Sequence, residues 1–325
     1  MWNSPIIDFH CHVASTDFFP AEFRRGVIEN MIVALKARNV SPSWANAEAM
    51  YLSTLRDPWC DSLVQEMDQA GIELSVLLLP DFTYVWPDST PTIEKQIDHH
   101  CQIQERHPGR FKIFVGLDPR WGKKGVDLFE RCIKEYCFDG LKLYPPCGYT
   151  ISDPRLYPFY DVCREYGLPV LTHIGATTPT LEFAAAAPLT VDRAALDYPD
   201  VDFVLAHGSV QYRDECIMLC TNRPNVYLDV SGYQAVGGSA GLRMLFTYGI
   251  AHKILFGTDY PVFRLQGKQR DFVARLWTDS VFPDGMADRD IELFLAGNAR
   301  RLLANKKTTT DYSVTRKSEG IAGAL

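Results

Sequence analysis

The sequence predicts a (β/α)8 barrel, the TIM barrel, from three observations. Eight short β-rich runs recur along the 325 residues, helical stretches alternate with them, and no Gly-x-Gly-x-x-Gly follows any of the runs. Strands alternating with helices imply a parallel sheet, and eight such units at this length close into a barrel more readily than they open into a doubly wound sheet. The missing glycine fingerprint weighs against the dinucleotide-binding alternative. With 46% apolar and 22% charged residues, the chain has material for one large core.

The first run, Pro5 to Phe9, ends in His10-Cys11-His12. Side chains alternate along a strand, so His10 and His12 are expected on one face. Such a pair is half of a metal site or an ordinary core pair, and only the other strand ends can decide between them. A long insertion, Val13 to Gly71, follows, with helical stretches at Pro20 to Arg38 and Asp61 to Ala70 and with aromatics at Phe18, Phe19, Trp44 and Trp59. It reads as a lid over the barrel mouth or as helices packed on the body by those aromatics.

The remaining runs are Ile72 to Pro80, Phe111 to Asp118, Gly140 to Tyr144, Pro169 to His173, Val201 to His207, Asn225 to Val230 and Lys253 to Asp259. A helix over Ile291 to Leu303 would close the barrel, giving one domain over 1–305. The polar, aperiodic tail from Lys306 to Leu325 is expected to be disordered.

A formal charge of −7 argues against a nucleic-acid binder, leaving a small-molecule substrate as the expected partner. Nine cysteines without paired spacing point to a reducing compartment, and no apolar run approaches a membrane span, so a cytoplasmic location is expected. The N-terminus carries no signal-peptide pattern ahead of His10.

In a barrel of this kind the βα loops converge at the C-terminal ends of the strands, and the site forms there. His10 and His12 end the first run, Lys142 lies near the end of the fourth, and His173, His207 and Asp259 end the fifth, sixth and eighth. Polar groups gathered on one rim cost free energy unless satisfied, and a metal satisfies all of them together. His99, His100, His107 and His252 lie away from strand ends and read as structural. Gly140, Lys142 and Tyr144 share a face, so Lys142 points into the barrel while Leu141 and Leu143 meet the helices. A buried ammonium must pair, lose its proton or be modified. Lys142 therefore either pairs with an inward carboxylate such as Asp8 or Asp229 or carries a carbamate that bridges two cations.

These residues resemble the amidohydrolase superfamily of metal-dependent hydrolases, in the branch that also holds non-oxidative decarboxylases. The likeness rests on Asp8-Phe9-His10-Cys11-His12, Gly140-Leu141-Lys142-Leu143-Tyr144-Pro145, Leu168 to His173, Leu205-Ala206-His207-Gly208, Phe256-Gly257-Thr258-Asp259-Tyr260-Pro261 and Gly297 to Leu302, in order from Pro5 to Leu303. The resemblance implies His10, His12 and Asp259 as ligands in every version of the site. In a one-metal site His173 completes the set and His207 stands beside the bound water. In a two-metal site carbamylated Lys142 bridges, and His173 with His207 hold the second ion.

The divalent cation is expected to be zinc, with manganese as the alternative. A divalent ion brings the pKa of bound water from about 15.7 towards 7. The expected reaction is hydrolysis of an amide, lactone or ester, with Asp259 as general acid and base and His207 beside it. Tyr144, Tyr149, Arg213 and Tyr233 follow strand ends and are candidates to orient the substrate, Arg213 by clamping a carboxylate. The rival is a one-metal decarboxylase of an aromatic or unsaturated acid, protonated by His207 or Asp259. Lys142 favours hydrolysis, because the compared decarboxylases lack a lysine on that strand. A binding barrel without catalysis is the third reading, and the intact ligand set opposes it. Dimers are expected by analogy alone.

Overall fold

The computed structural model describes residues 4–208, 211–235 and 238–307. Strand β1 (Ile6–Cys11) is followed by two short strands, β2 (Ala14–Ser15) and β3 (Arg56–Asp57), and by β4 (Ile72–Leu79), β5 (Phe111–Gly116) and β6 (Gly140–Leu143). Strands β7 (Val170–Thr172), β8 (Phe203–Leu205), β9 (Val226–Asp229) and β10 (Ile254–Leu255) complete the set. The eight strands β1 and β4 to β10 form one sheet in the order β1-β4-β5-β6-β7-β8-β9-β10, each pair parallel. The edges meet where Phe9 N donates to Phe256 O at 2.8 Å and Asp259 N donates to His10 O at 2.7 Å. The chain thus folds into the expected TIM barrel, with strands shorter than the β-rich runs because the run ends bend into the loops.

One face of the strands builds an inner cluster that includes Phe9, Leu78, Phe114, Leu171, Val204 and Leu255. Ala296, Ala299 and Leu302 of the closing segment pack against the same cluster. That segment is helix Asp288–Glu292, a wider π-type turn over Leu293–Gly297 and helix Asn298–Ala304. Leu141 and Leu143 belong to the outer core under the helices. Lys142 is in register with Leu171, whose side chain belongs to the inner cluster, and therefore points inward, as alternation requires.

The insertion is pinned at its base by the antiparallel pairing of β2 with β3. It contains helix α1 (Ala21–Lys36) and a helix that the sequence did not signal, α2 (Trp44–Leu52), capped where Ser43 accepts from Asn46 N at 3.2 Å. Helix α3 (Asp61–Ala70) occupies the predicted span, ending on Gly71 at φ 74°, a left-handed cap that glycine adopts without strain. Phe18 packs edge-on against His99 and His100, and Trp59 stacks on His99 at 4.1 Å. Those two aromatics hold the insertion to the body. Phe19 instead lies 6.2 Å from the His12 ring.

At the other end of the chain Lys306 and Lys307, the first residues of the polar tail, lie against the barrel. Lys306 Nζ donates to Cys137 O and Phe138 O at 2.8 and 3.0 Å, and Lys307 N donates to Tyr166 O. Carbonyls exposed at the foot of the barrel provide the acceptors that composition cannot foresee. The rest of the tail, 308–325, lies outside the described residues. Among the described residues no helix is long and apolar enough to cross a membrane.

Candidate metal centre

The site forms where β1 meets β10. Between Asp8 and Cys11, β1 advances three residues against two on β4, a bulge of the kind that re-aims side chains beside a site. His10 and His12 therefore meet through a bulged strand end rather than through simple alternation. Their Nε2 atoms stand 3.2 Å apart, and Asp259 Oδ1 lies 3.3 and 3.4 Å from them. All three residues are buried, and among the described residues they are the one group of three or more His, Cys, Asp or Glu ligands gathered closely enough for an ion.

The neighbours decide what these atoms can do. His10 Nδ1 donates to Asp229 Oδ2, and His12 Nδ1 donates to Leu78 O at 2.8 Å, so both Nε2 lone pairs face the same point as the carboxylate. Three acceptors at that spacing repel one another unless something positive lies between them. Ligands held about 2.1 Å from an ion in tetrahedral array lie roughly 3.4 Å apart, the spacing this trio has. The residues present therefore fit a divalent cation. Burial, reinforced by Lys142, holds His10 well below the usual imidazole range and keeps it neutral. Burial pushes the Asp259 carboxyl up, but the imidazoles of His10, His12 and His207 gathered around it outweigh burial and leave it below its ordinary value.

Asp259 and His207 take left-handed backbone, at φ 54° and 66°, a costly conformation for residues with a Cβ that is met at functional sites. Asp8 braces this corner from behind. It accepts from His10 N at 3.1 Å, Thr258 N at 2.9 Å and Thr258 Oγ1 at 2.6 Å, tying both ligand-bearing strand ends to one carboxylate.

The other predicted residues divide into two groups. His173 and His207 are brought to the site, their rings 4.9 Å apart and His207 4.8 Å from His10. His173 Nε2 is buried with no hydrogen-bond partner among the described residues, and burial holds its pKa well below the usual range, so a neutral acceptor or donor awaits a ligand there. His207 Nδ1 lies 3.2 Å from Ser231 O and 3.0 Å from Ser231 Oγ. Lys142 is buried, and burial lowers its pKa to about 8 while Asp259 and Asp229 pull the other way. Neither carboxylate proposed as its partner pairs with it within 4.0 Å. Asp8 is committed to Thr258 and Cys11, and Asp229 to His10 and Ser231.

Tyr144 borders the site, its ring 4.6 Å from His173 and its hydroxyl 2.5 Å from Thr177 Oγ1. Tyr149 and Tyr233 are held away from the ligand trio by bonds of their own. Tyr149 Oη accepts from Tyr144 N at 2.8 Å and so supports Tyr144 from beneath. Tyr233 is fully buried and donates to Phe272 O at 2.6 Å, on the helix side of its strand. Arg213 opens the helix Arg213–Asn222 and reaches its neighbour Asp214 at 3.4 Å. Strand-end position alone does not tell which way a loop side chain turns. Asp229, read from the sequence as an inward carboxylate for Lys142, braces His10 instead, and Ser231 is the neighbour that had no sequence signal of its own. His99 and His107 donate to the carbonyls of Pro58 and Trp59, structural bonds as expected.

A barrel whose strand ends hold two imidazoles and a carboxylate around one point is a metal-dependent enzyme scaffold. The amidohydrolase family profile matches residues 7–304, and the chain belongs to that family of divalent-metal-dependent enzymes. Over 118 residues it is 25% identical to 2-amino-3-carboxymuconate-6-semialdehyde decarboxylase of Dictyostelium discoideum, covering 35% of this chain and 33% of the relative. Over 96 residues it is 31% identical to 2-keto-4-carboxy-3-hexenedioate hydratase of Sphingobium, covering 24% of this chain and 28% of the relative. The match thus spans about a third or less of either curated relative. A 5-carboxyvanillate decarboxylase of Novosphingobium aromaticivorans, solved with bound manganese, shares the fold at TM-score 0.66 and 14% identity, over 93% of this chain and 97% of that one.

Proposed function

We propose that this enzyme is a one-metal lyase that removes carbon dioxide from an unsaturated or aromatic carboxylic acid. The observation that carries the reading is the compact trio of His10, His12 and Asp259, whose ligand atoms stand 3.2 to 3.4 Å apart as donors around one ion do. The decarboxylase and hydratase among its relatives support a lyase over the hydrolase expected from Lys142.

A divalent ion, manganese or zinc, held by His10, His12 and Asp259 would supply a Lewis acid for a carboxylate and an adjacent oxygen. His173, with Nε2 unsatisfied, is free to bind the substrate or complete the ligand set. Lys142 adds positive charge beneath the substrate without committing a carboxylate. His207, anchored through Nδ1 to Ser231, presents Nε2 to the site and can hold a proton there. As the carbon–carbon bond breaks, the electron pair stays on the substrate carbon, His207 delivers its proton to that carbon, and carbon dioxide leaves.

The test has two readings on one preparation: metal content per chain by elemental mass spectrometry, and product analysis with a panel of aromatic and unsaturated carboxylic acids. About one ion per chain with carbon dioxide released is the expected result. Two ions per chain, with turnover of lactones, esters or amides and no carbon dioxide, would restore the hydrolase. Addition of water to an unsaturated acid would assign the hydratase.

A further inference from the structure

The rings around the metal centre form a closed circuit. On one side His12 meets His10 at 5.2 Å, His10 meets His207 at 4.8 Å, and His207 meets His173 at 4.9 Å. The circuit returns on the other side through Tyr144, 4.6 Å from His173, and Phe23, 6.4 Å from Tyr144. Phe19 closes it, 5.8 Å from Phe23 and 6.2 Å from His12. The insertion thus contributes two of the seven rings of the circuit, Phe19 beside His12 and Phe23 beside Tyr144.

The placement of those two rings is built, not incidental. Glu22, Gly26 and Asn30 recur every four residues on α1 and face the barrel loops. Glu22 Oε2 accepts from Ser89 Oγ at 2.5 Å, and Asn30 Nδ2 donates to Thr177 O at 3.1 Å. Thr177 also touches the Tyr144 hydroxyl, so one loop positions both the insertion and the barrel's own ring. Between them Gly26 lies so close to the loop that an added Cβ would stand 2.6 Å from Thr178 Cβ and 3.2 Å from Pro179 Cδ. Only glycine lets α1 approach this far.

We propose that Phe19 and Phe23 are specificity-determining residues: with Tyr144 they form an aromatic wall opposite the metal ligands that selects a flat, conjugated carboxylate, and Gly26 sets how closely the wall approaches. Flat π-faces pack against such rings by offset or edge contacts that a puckered aliphatic ring cannot make. The inference deepens the lyase reading by naming the residues that would choose its substrate, and it is tested without turnover.

The experiment is calorimetric titration of the manganese-loaded enzyme with benzoate and with cyclohexanecarboxylate, acids of the same charge and similar size. Wild type is expected to bind benzoate about tenfold more tightly. Phe23→Leu and Gly26→Ala should bring the ratio to within about threefold, while Phe23→Tyr keeps it, and melting curves show that each variant is folded. Equal binding by wild type, no binding of either acid at millimolar concentration, or an unchanged ratio in Phe23→Leu and Phe19→Leu would overturn the proposal. A preference for benzoate with no decarboxylation of any acid would keep the wall and remove the lyase; decarboxylation without the preference would do the reverse.

Discussion

The two sides of the candidate site are finished to different degrees. On the side of β1 and β10, each ligand has its second bond made: His10 to Asp229, His12 to the Leu78 carbonyl, Asp259 N to the His10 carbonyl. On the side of β6, β7 and β8, His173 Nε2 has no partner and Lys142 has no carboxylate within ion-pair reach among the described residues. We propose that the first side holds an ion that stays and that the second keeps its polar groups open for a molecule that comes and goes. Satisfied ligands lower the cost of binding a cation, whereas unsatisfied groups raise the gain from binding a substrate.

The sharpest way to break this contrast is to remove a finished ligand. His10→Ala or Asp259→Asn should empty the site and abolish turnover, read as loss of bound metal by elemental analysis. Retained metal with retained activity would mean that the two sides have been assigned the wrong way round.

Next in size is Lys142→Met in metal-free protein. The lysine's folded-state pKa falls from 10.5 to about 8. Between those values the unfolded chain binds more protons than the folded one, so stability rises with pH there. At pH 7 the buried ammonium carries the full cost, so the methionine variant should be more stable by roughly 3 kcal/mol, with the gain shrinking from pH 8 towards 10.5. Urea denaturation at pH 7 and pH 9.5 measures both. A metal-loaded variant that holds one ion fewer than the wild type would instead mark Lys142 as part of a bridge.

A smaller effect tests the brace alone. Asp229→Asn leaves all three ligands in place and should weaken metal affinity about 10- to 100-fold. The smallest belongs to a histidine away from either side: His99→Ala should leave turnover within a few-fold, since its ring serves Trp59 and Phe18. A loss as large as that of His10→Ala would show that the strand-end criterion fails.

How far the site could be read in advance differs residue by residue. Lys142 was legible because strand alternation is a local rule, and its leucine neighbours obey it on the other face. His10 and His12 were legible as a pair, though the bulge that joins them was not, since a bulge is a mismatch between Asp8 to Cys11 and the distant Ser75 to Leu77. Tyr149 and Tyr233 show the opposite case. Both follow strand ends, yet their hydroxyls answer to Tyr144 N and Phe272 O, acceptors and donors that no local pattern announces. Helix α2 was missed because its weak amphipathic pattern leaves the decision to tertiary packing.

Order and period along the chain were enough for the barrel, for the inward lysine and for the set of histidines and aspartate at the strand ends, because each follows from the succession of elements or from the pattern within one of them. Distances between elements were decided only on folding. The triangle of ligand atoms, the commitment of Asp229 to His10 instead of Lys142, and the approach of α1 that carries Phe19 and Phe23 to the metal ligands all depend on contacts between segments far apart in the chain, where packing and hydrogen-bond satisfaction choose among partners that the sequence leaves equivalent.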